Sequence, residues 1–206
     1  MSGSLLNSFY GAATRKDGAA EQPAFFFDRI LLTGFRATGK SLVGRLLADR
    51  LGWVFLDTDA LICRRIGCSV ADFVAEYGWD RFREVEERVL MKLCRQEGVV
   101  IATGGGAVQH GSAWQSLRRQ SASVWLRAEE RTIQQRLASD MHSEQQRPSL
   151  TGLNSDHEIT LLLSERNPIY RSGSDFFVQT DGRSPSELVE EIEHGLTVLT
   201  EKNRYF

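Results

Sequence analysis

The chain has 206 residues, 41% of them hydrophobic and 25% charged, and a formal net charge of −2 at pH 7. That length suits one sizeable domain, and that composition excludes a wholly disordered chain, a collagen-like repeat or a coiled coil. With 25 basic against 27 acidic side chains, the chain lacks the basic excess of a protein that wraps nucleic acid, so no nucleic-acid partner is expected.

No apolar run approaches the roughly 18–20 residues that span a bilayer, so no membrane partner is expected either. Leu5 and Leu6 make too short an apolar stretch for a secretory signal, and Arg15 and Lys16 follow them instead of preceding them. The three cysteines, Cys63, Cys68 and Cys94, are odd in number and lack metal-ligand spacing. Free thiols in a reducing cytoplasm are the expectation.

In chain order, residues 1–27 read as a flexible tail dominated by Ser, Gly, Ala and mixed charges until Phe25-Phe26-Phe27. Residues 29–33 predict a first strand. Residues 40–51 carry Leu42, Val43, Leu46 and Leu47 at helical spacing, and Gly52 stops the helix. Residues 53–56 predict a second strand, and residues 70–77 and 82–96 two helices. The fully apolar run 99–102 suits a strand in the middle of a parallel sheet. Residues 124–126 and 176–178 predict a fourth and a fifth strand, and a helix over 186–199 closes the pattern. Strands alternating with helices predict a parallel five-stranded sheet with helices on both faces, an α/β fold of three layers, with residues 28–206 as one domain. The polar stretch 139–156 is too long for an ordinary connection and reads as a mobile lid.

Gly34-Phe35-Arg36-Ala37-Thr38-Gly39-Lys40-Ser41 fits G-x-x-x-x-G-K-[ST] between a predicted strand and a predicted helix. Backbone N–H groups of such a loop converge on nucleotide phosphates at a helix N-terminus. Lys40 is then placed for the β- and γ-phosphates, and the Ser41 hydroxyl for Mg²⁺, a hard ion that favours oxygen. A plain glycine turn opening a helix is the bland alternative. The motif points to a nucleoside triphosphate and is silent on the acceptor.

Asp57-Thr58-Asp59 follows the second predicted strand. Ligands of open parallel sheets bind beyond the carboxyl ends of strands, and residues two apart on an extended chain point the same way. Both carboxylates are therefore expected to face the crevice, one helping to hold Mg²⁺ through water and the other bonding an acceptor hydroxyl. The bland alternative makes Asp59 a helix cap. Gly104-Gly105-Gly106 follows the third strand, where bare backbone lets a small polar ligand meet N–H donors; a tight turn alone needs fewer glycines. Arg83, Arg147 and Arg166, the last just before what reads as a helix-breaking Pro168, are each unremarkable as surface charges. An arginine fork also fits a carboxylate or phosphate bidentately.

These motifs in this order, together with Glu86-Glu87 after Phe82-Arg83, Arg147-Pro148 and Arg166-Asn167-Pro168-Ile169-Tyr170, resemble those of shikimate kinases over about residues 29–199. Gly78-Trp79 and the segment Arg147-Pro148-Ser149-Leu150-Thr151-Gly152 look most like the second enterobacterial isoform. The resemblance implies a P-loop kinase fold. It also implies transfer from ATP, with Mg²⁺, to the 3-hydroxyl of shikimate on the way to chorismate and the aromatic amino acids. Carried over, Lys40, Asp59 and Arg147 are catalytic, and Asp59 is the candidate base. Asp59, Arg83, Gly104, Gly105, Gly106 and Arg166 bind shikimate, with Arg83 and Arg166 on its carboxylate. Gly34, Ala37, Thr38, Gly39, Lys40, Ser41, Leu42, Arg136, Arg147, Arg183 and Pro185 bind the nucleotide, and Ser41 and Asp57 serve the metal. A cytoplasmic monomer acting on small molecules is expected. Three positions depart from the common pattern: Ala37 stands where glycine is usual, and its methyl group is tolerated if φ is negative; Trp79 replaces a frequent Glu; Ser149 replaces a frequent Leu. The competing readings are a kinase for a related polyol acid such as quinate or gluconate, and an inactive nucleotide-binding regulatory module.

Overall fold

A computed structural model describes residues 25–139 and 155–203. Residues 1–24 of the expected tail, and residues 140–154 of the expected lid with Arg147 and Ser149, lie outside the described residues.

Strand β1, Arg29–Thr33, is buried along its whole length. Helix α1, Lys40–Leu51, opens on Gly39 at φ 91 and closes on Gly52 at φ 63, whose N–H reaches the carbonyls of Ala48 and Asp49; glycine is the residue that adopts such left-handed caps without strain. Strand β2 is Val54–Asp57 and helix α2 Thr58–Ile66. Helix α3, Val70–Leu93, is capped by the Ser69 hydroxyl and broken at Gly78, whose φ 80 and ψ 168 are not helical. The two helices expected there exist as two pieces across this kink. The second ends at Leu93, short of the expected 96.

Strand β3 is Val99–Ala102, followed by a 3-10 turn at Ala107–Gln109 and helix α4, Gly111–Arg118. Then come β4, Ser121–Arg127, α5, Glu130–Ser139, α6, Ser155–Ser172, β5, Phe176–Gln179, and α7, Pro185–Asn203. Pro168 does not break its helix. It lies inside α6, which runs on to Ser172, because a proline removes only one ladder donor and a packed helix can carry that loss. Ser139 ends α5, and residues 155 and 156 begin α6, so the described ends of the 139–156 stretch are helical.

All five strands are parallel in the order β2-β3-β1-β4-β5. Alternate residues enter opposite layers, as the period of two requires. Ile30 and Leu32 of β1, Val100 of β3 and Val124 of β4 pack with Val43, Leu47, Val189 and Ile192 of α1 and α7. Leu31, Ile101 and Trp125 pack with Ile62, Val85, Val89, Leu117 and Leu163 on the other face. This is the expected three-layer α/β/α sandwich. Phe27 is buried in the first layer, and Phe25 stacks on it at 4.8 Å and meets Trp53 edge-on at 5.8 Å. The packed unit therefore reaches back to Phe25.

The strand order sets out the site. The carboxyl ends of β2, β3 and β1 lie side by side, so Asp57, the glycine triplet and the phosphate loop are neighbours. No helix among the described residues is long and apolar enough to cross a membrane, and the three cysteines are free thiols.

Candidate active site

The phosphate loop joins β1 to α1. A Cβ on Gly34, at φ 135, would stand 2.3 Å from the Leu126 carbonyl oxygen, so the loop starts where only glycine fits. Thr38 is buried and donates to the Phe35 carbonyl at 2.8 Å. The Lys40 ammonium curls over the loop and donates to the carbonyls of Gly34, at 2.9 Å, and Phe35, at 2.6 Å. Ala37 has φ 61, so the condition for an easily tolerated methyl group, a negative φ, is not met. Leu42 is exposed on the first turn of α1.

Ser41 Oγ donates to Asp57 Oδ2 at 2.6 Å, and Asp57 Oδ1 accepts the N–H groups of Asp59 at 3.0 Å and Ala60 at 3.3 Å. The helix cap is thus Asp57, and Asp59 sits in the first turn of α2. The extended-chain argument for this pair does not hold, because α2 begins at Thr58. The pair nevertheless divides the work: Ser41 and one Asp57 oxygen form a hard-oxygen donor set that fits a Mg²⁺ ion, while Asp59 turns into the neighbouring cleft.

That cleft has an empty volume of about 550 Å³, part of it open to solvent, and Asp59, Arg83, Arg166 and the three glycines line it. The glycines act mainly by what they lack. A Cβ on Gly104 would stand 2.7 Å from Asp59 Oδ1, and one on Gly106 2.4 Å from an Arg83 guanidinium nitrogen. The expectation of ligand-facing N–H groups fails at Gly104, whose N–H donates to Thr58 Oγ1 at 2.7 Å. The Gly105 carbonyl accepts the buried Tyr170 hydroxyl at 2.6 Å.

Arg83 pairs with Glu86 one turn along α3 and lies over the rings of Trp79 and Phe82, 5.7 and 5.8 Å from their centroids. Trp79 therefore has a clear place in the pocket wall. Glu86 is buried and also bonds His110 Nε2 at 2.7 Å. Burial pushes the Glu86 carboxyl up, but the His110 hydrogen bond and the Arg83 charge outweigh it and hold the group below its ordinary range. Arg166, on α6, is buried, its Nε without a hydrogen-bond partner, 6.0 Å above the Phe35 ring. Arg166 also lines the cleft, and a guanidinium buried in such a wall suits an anionic ligand. Glu86, Phe35, Arg36, Trp79 and Tyr170 also shape this site, although no site role is read for them from sequence. Only the Arg83–Glu86 spacing of three signalled a contact.

On the other side of the phosphate loop, Arg136 donates to the Ala37 carbonyl at 3.1 Å, and to Thr180 Oγ1 at 3.1 Å and its carbonyl at 2.9 Å. Arg183 donates to the carbonyls of Gln179, at 3.4 Å, and Glu187, at 3.1 Å, and pairs with Glu191. Pro185 opens α7. Arg136, Arg183 and Pro185 thus gather at the carboxyl end of β5, apart from the acceptor cleft.

A family model described as shikimate kinase matches residues 36–197. A shikimate kinase of Nitratidesulfovibrio vulgaris is 44% identical over 153 residues, 74% of this chain and 87% of that protein. Shikimate kinase 2 of Yersinia enterocolitica is 36% identical over 165 residues, 80% of this chain and 93% of that protein. The solved shikimate kinase from Acinetobacter baumannii in complex with shikimate superposes with a TM-score of 0.77 at 30% identity, covering 85% of this chain and 95% of that one. Cleft, phosphate loop and sequence agree, and the chain belongs to the shikimate kinase family.

Proposed function

We propose that the protein transfers the γ-phosphoryl group of ATP to the 3-hydroxyl of shikimate. The observation that carries this reading is the cleft beside the phosphate loop, where Asp59 faces Arg83 and Arg166 across three glycines. An acceptor with a carboxylate at one end and hydroxyls at the other matches that division of charge. Arg83 and Arg166 hold the carboxylate, and the backbone at Gly105 meets a ring hydroxyl. Asp59 orients the 3-hydroxyl and takes its proton as the oxygen attacks phosphorus and the β–γ bridge bond breaks, releasing ADP. Phosphoryl transfer passes through a loose transition state, so orientation is most of what Asp59 supplies.

Lys40 stabilises the charge that builds on the bridge and γ-oxygens. Ser41 and, through water, Asp57 would hold Mg²⁺, which when bound neutralises phosphate charge. Residues around Arg136, Arg183 and Pro185 take the adenine side. Residues 28–206 act as one catalytic domain, and the stretch 139–156 acts as a lid that brings Arg147 over the phosphates and excludes water. The enzyme works in the cytoplasm as a monomer, without nucleic-acid or membrane partners. The near-neutral charge balance supports the lack of a nucleic-acid partner.

The test is ADP release with shikimate, quinate and gluconate as acceptors. Shikimate is expected to be strongly preferred, and Lys40→Met to lower turnover by about 10²-fold or more with the circular dichroism unchanged. A preference for quinate or gluconate, or a fully active Lys40→Met protein, overturns the reading.

A further inference from the structure

His110 has no part in the chemistry above, yet it is buried against it. Its side chain is 9% exposed, and Nε2 lies 2.7 Å from Glu86 Oε2, the same oxygen that receives Arg83. Glu86 is an ionised carboxylate facing a guanidinium, and such a group only accepts. His110 Nε2 therefore carries the proton and donates. Its other links are to backbone: the His110 N–H donates to the Ala107 carbonyl at 3.2 Å, and its carbonyl accepts the N–H groups of Ala113 at 2.9 Å and Trp114 at 3.3 Å. The ring thus hangs from the fixed turn that continues the glycine loop.

The last torsion of a glutamate side chain is broad, so one partner alone does not set the direction of its oxygens. A second donor on the same oxygen does. Glu86 also needs compensation. Its Oε1 and Asp59 Oδ1 both lie within 3.1 Å of the point where a Gly104 Cβ would stand, so two carboxylates approach one another there.

We propose that His110 is a positioning residue for the acceptor: acting through Glu86, it fixes the Arg83 guanidinium against Gly106 in the direction that receives the substrate carboxylate. The inference rests on the reading of Arg83 as a carboxylate ligand. Without His110, Glu86 turns, and Arg83 follows it away from the cleft. The phosphate loop, on another strand end, feels none of this.

The test is shikimate affinity by calorimetry, with KM for shikimate and for ATP, in His110→Ala, His110→Gln and His110→Asn. A glutamine amide reaches about as far as Nε2 and keeps a donor; an asparagine amide falls short. His110→Ala and His110→Asn are expected to weaken shikimate binding and raise its KM by about tenfold or more, within the range of charge-assisted hydrogen bonds and of outer-sphere partners. KM for ATP stays within about twofold, and His110→Gln recovers most of the shikimate affinity. Unchanged shikimate affinity in His110→Ala, equal losses for both substrates, or no difference between His110→Gln and His110→Asn overturns the proposal. The Gln and Asn pair decides the matter if the alanine variant does not fold. Wild-type protein that binds no shikimate overturns the functional reading and this inference together. Shikimate held equally by wild type and His110→Asn overturns the inference alone.

Discussion

Ala37 holds φ 61 in the middle of the phosphate loop, a conformation that costs an alanine roughly 1–2 kcal/mol. Arg136 grips its carbonyl and helps to keep it there. Glycine removes the steric cost but frees the unfolded chain, which takes back part of the gain. Ala37→Gly is therefore expected to raise the unfolding free energy by about 1 kcal/mol in urea titration; a loss of stability would show that the methyl group is not under strain. The methyl group itself is plain in the sequence, and the backbone angle it must adopt is not. The same division runs through the site. Lys40, Ser41 and Asp57 were legible because their chemistry lies in short local motifs. His110, which meets Glu86 across 24 positions, and Tyr170, which meets Gly105 across 65, become partners only when the strand order brings them together. Gly104 was legible as necessary but misread in purpose: it makes space for Asp59, and its N–H is taken by Thr58.

Among the elements, the strands were the most legible, because buried parallel strands are nearly continuous apolar runs. β1 and β3 fall where their sequences put them, while β4 extends to Ser121 and Arg127, where polar residues blur the ends. Helix α3 was harder, since a glycine at φ 80 both interrupts the apolar stripe and lets the chain continue. Within β1 one charged residue breaks the apolar rule. Arg29 is 2% exposed. Its guanidinium donates to the carbonyls of Cys94 at 3.0 Å, Gln96 at 2.8 Å and Arg119 at 2.5 Å, and its Nε donates to Ser121 Oγ at 3.0 Å. Those carbonyls end α3 and α4, so one cation satisfies the exposed negative ends of two helices and ties them to the sheet. Arg29→Met keeps the bulk and strips the donors. It is expected to cost about 3 kcal/mol or more in denaturant unfolding with shikimate KM unchanged. A loss below about 1 kcal/mol would mean that water replaces the arginine at those helix ends.

For the whole molecule, the carboxyl ends of one sheet carry both the acceptor cleft and the phosphate loop. The acceptor cleft lies over β2, β3 and β1, and the Arg136–Thr180 cluster lies over β4 and β5 on the far side of the phosphate loop. A substrate bound at either place would bridge several elements and so stabilise the entire fold by mass action. Shikimate at 100 times its dissociation constant is expected to add about 2.7 kcal/mol to unfolding, read as a single-step rise in melting temperature. A ligand that sharpens only part of the transition would show that the two apolar layers unfold separately. The amino ends of the strands lie away from both places. Phe25 and Phe27 anchor the chain beside Trp53, before β1 begins. The backbone then runs the length of that strand, roughly 16 Å, before it reaches the phosphate loop. Anything attached to the chain just ahead of Phe25, such as a surface linker, a dye or a fused reporter, is therefore tethered at the rear of the sheet, and the substrate entrance can face the solution.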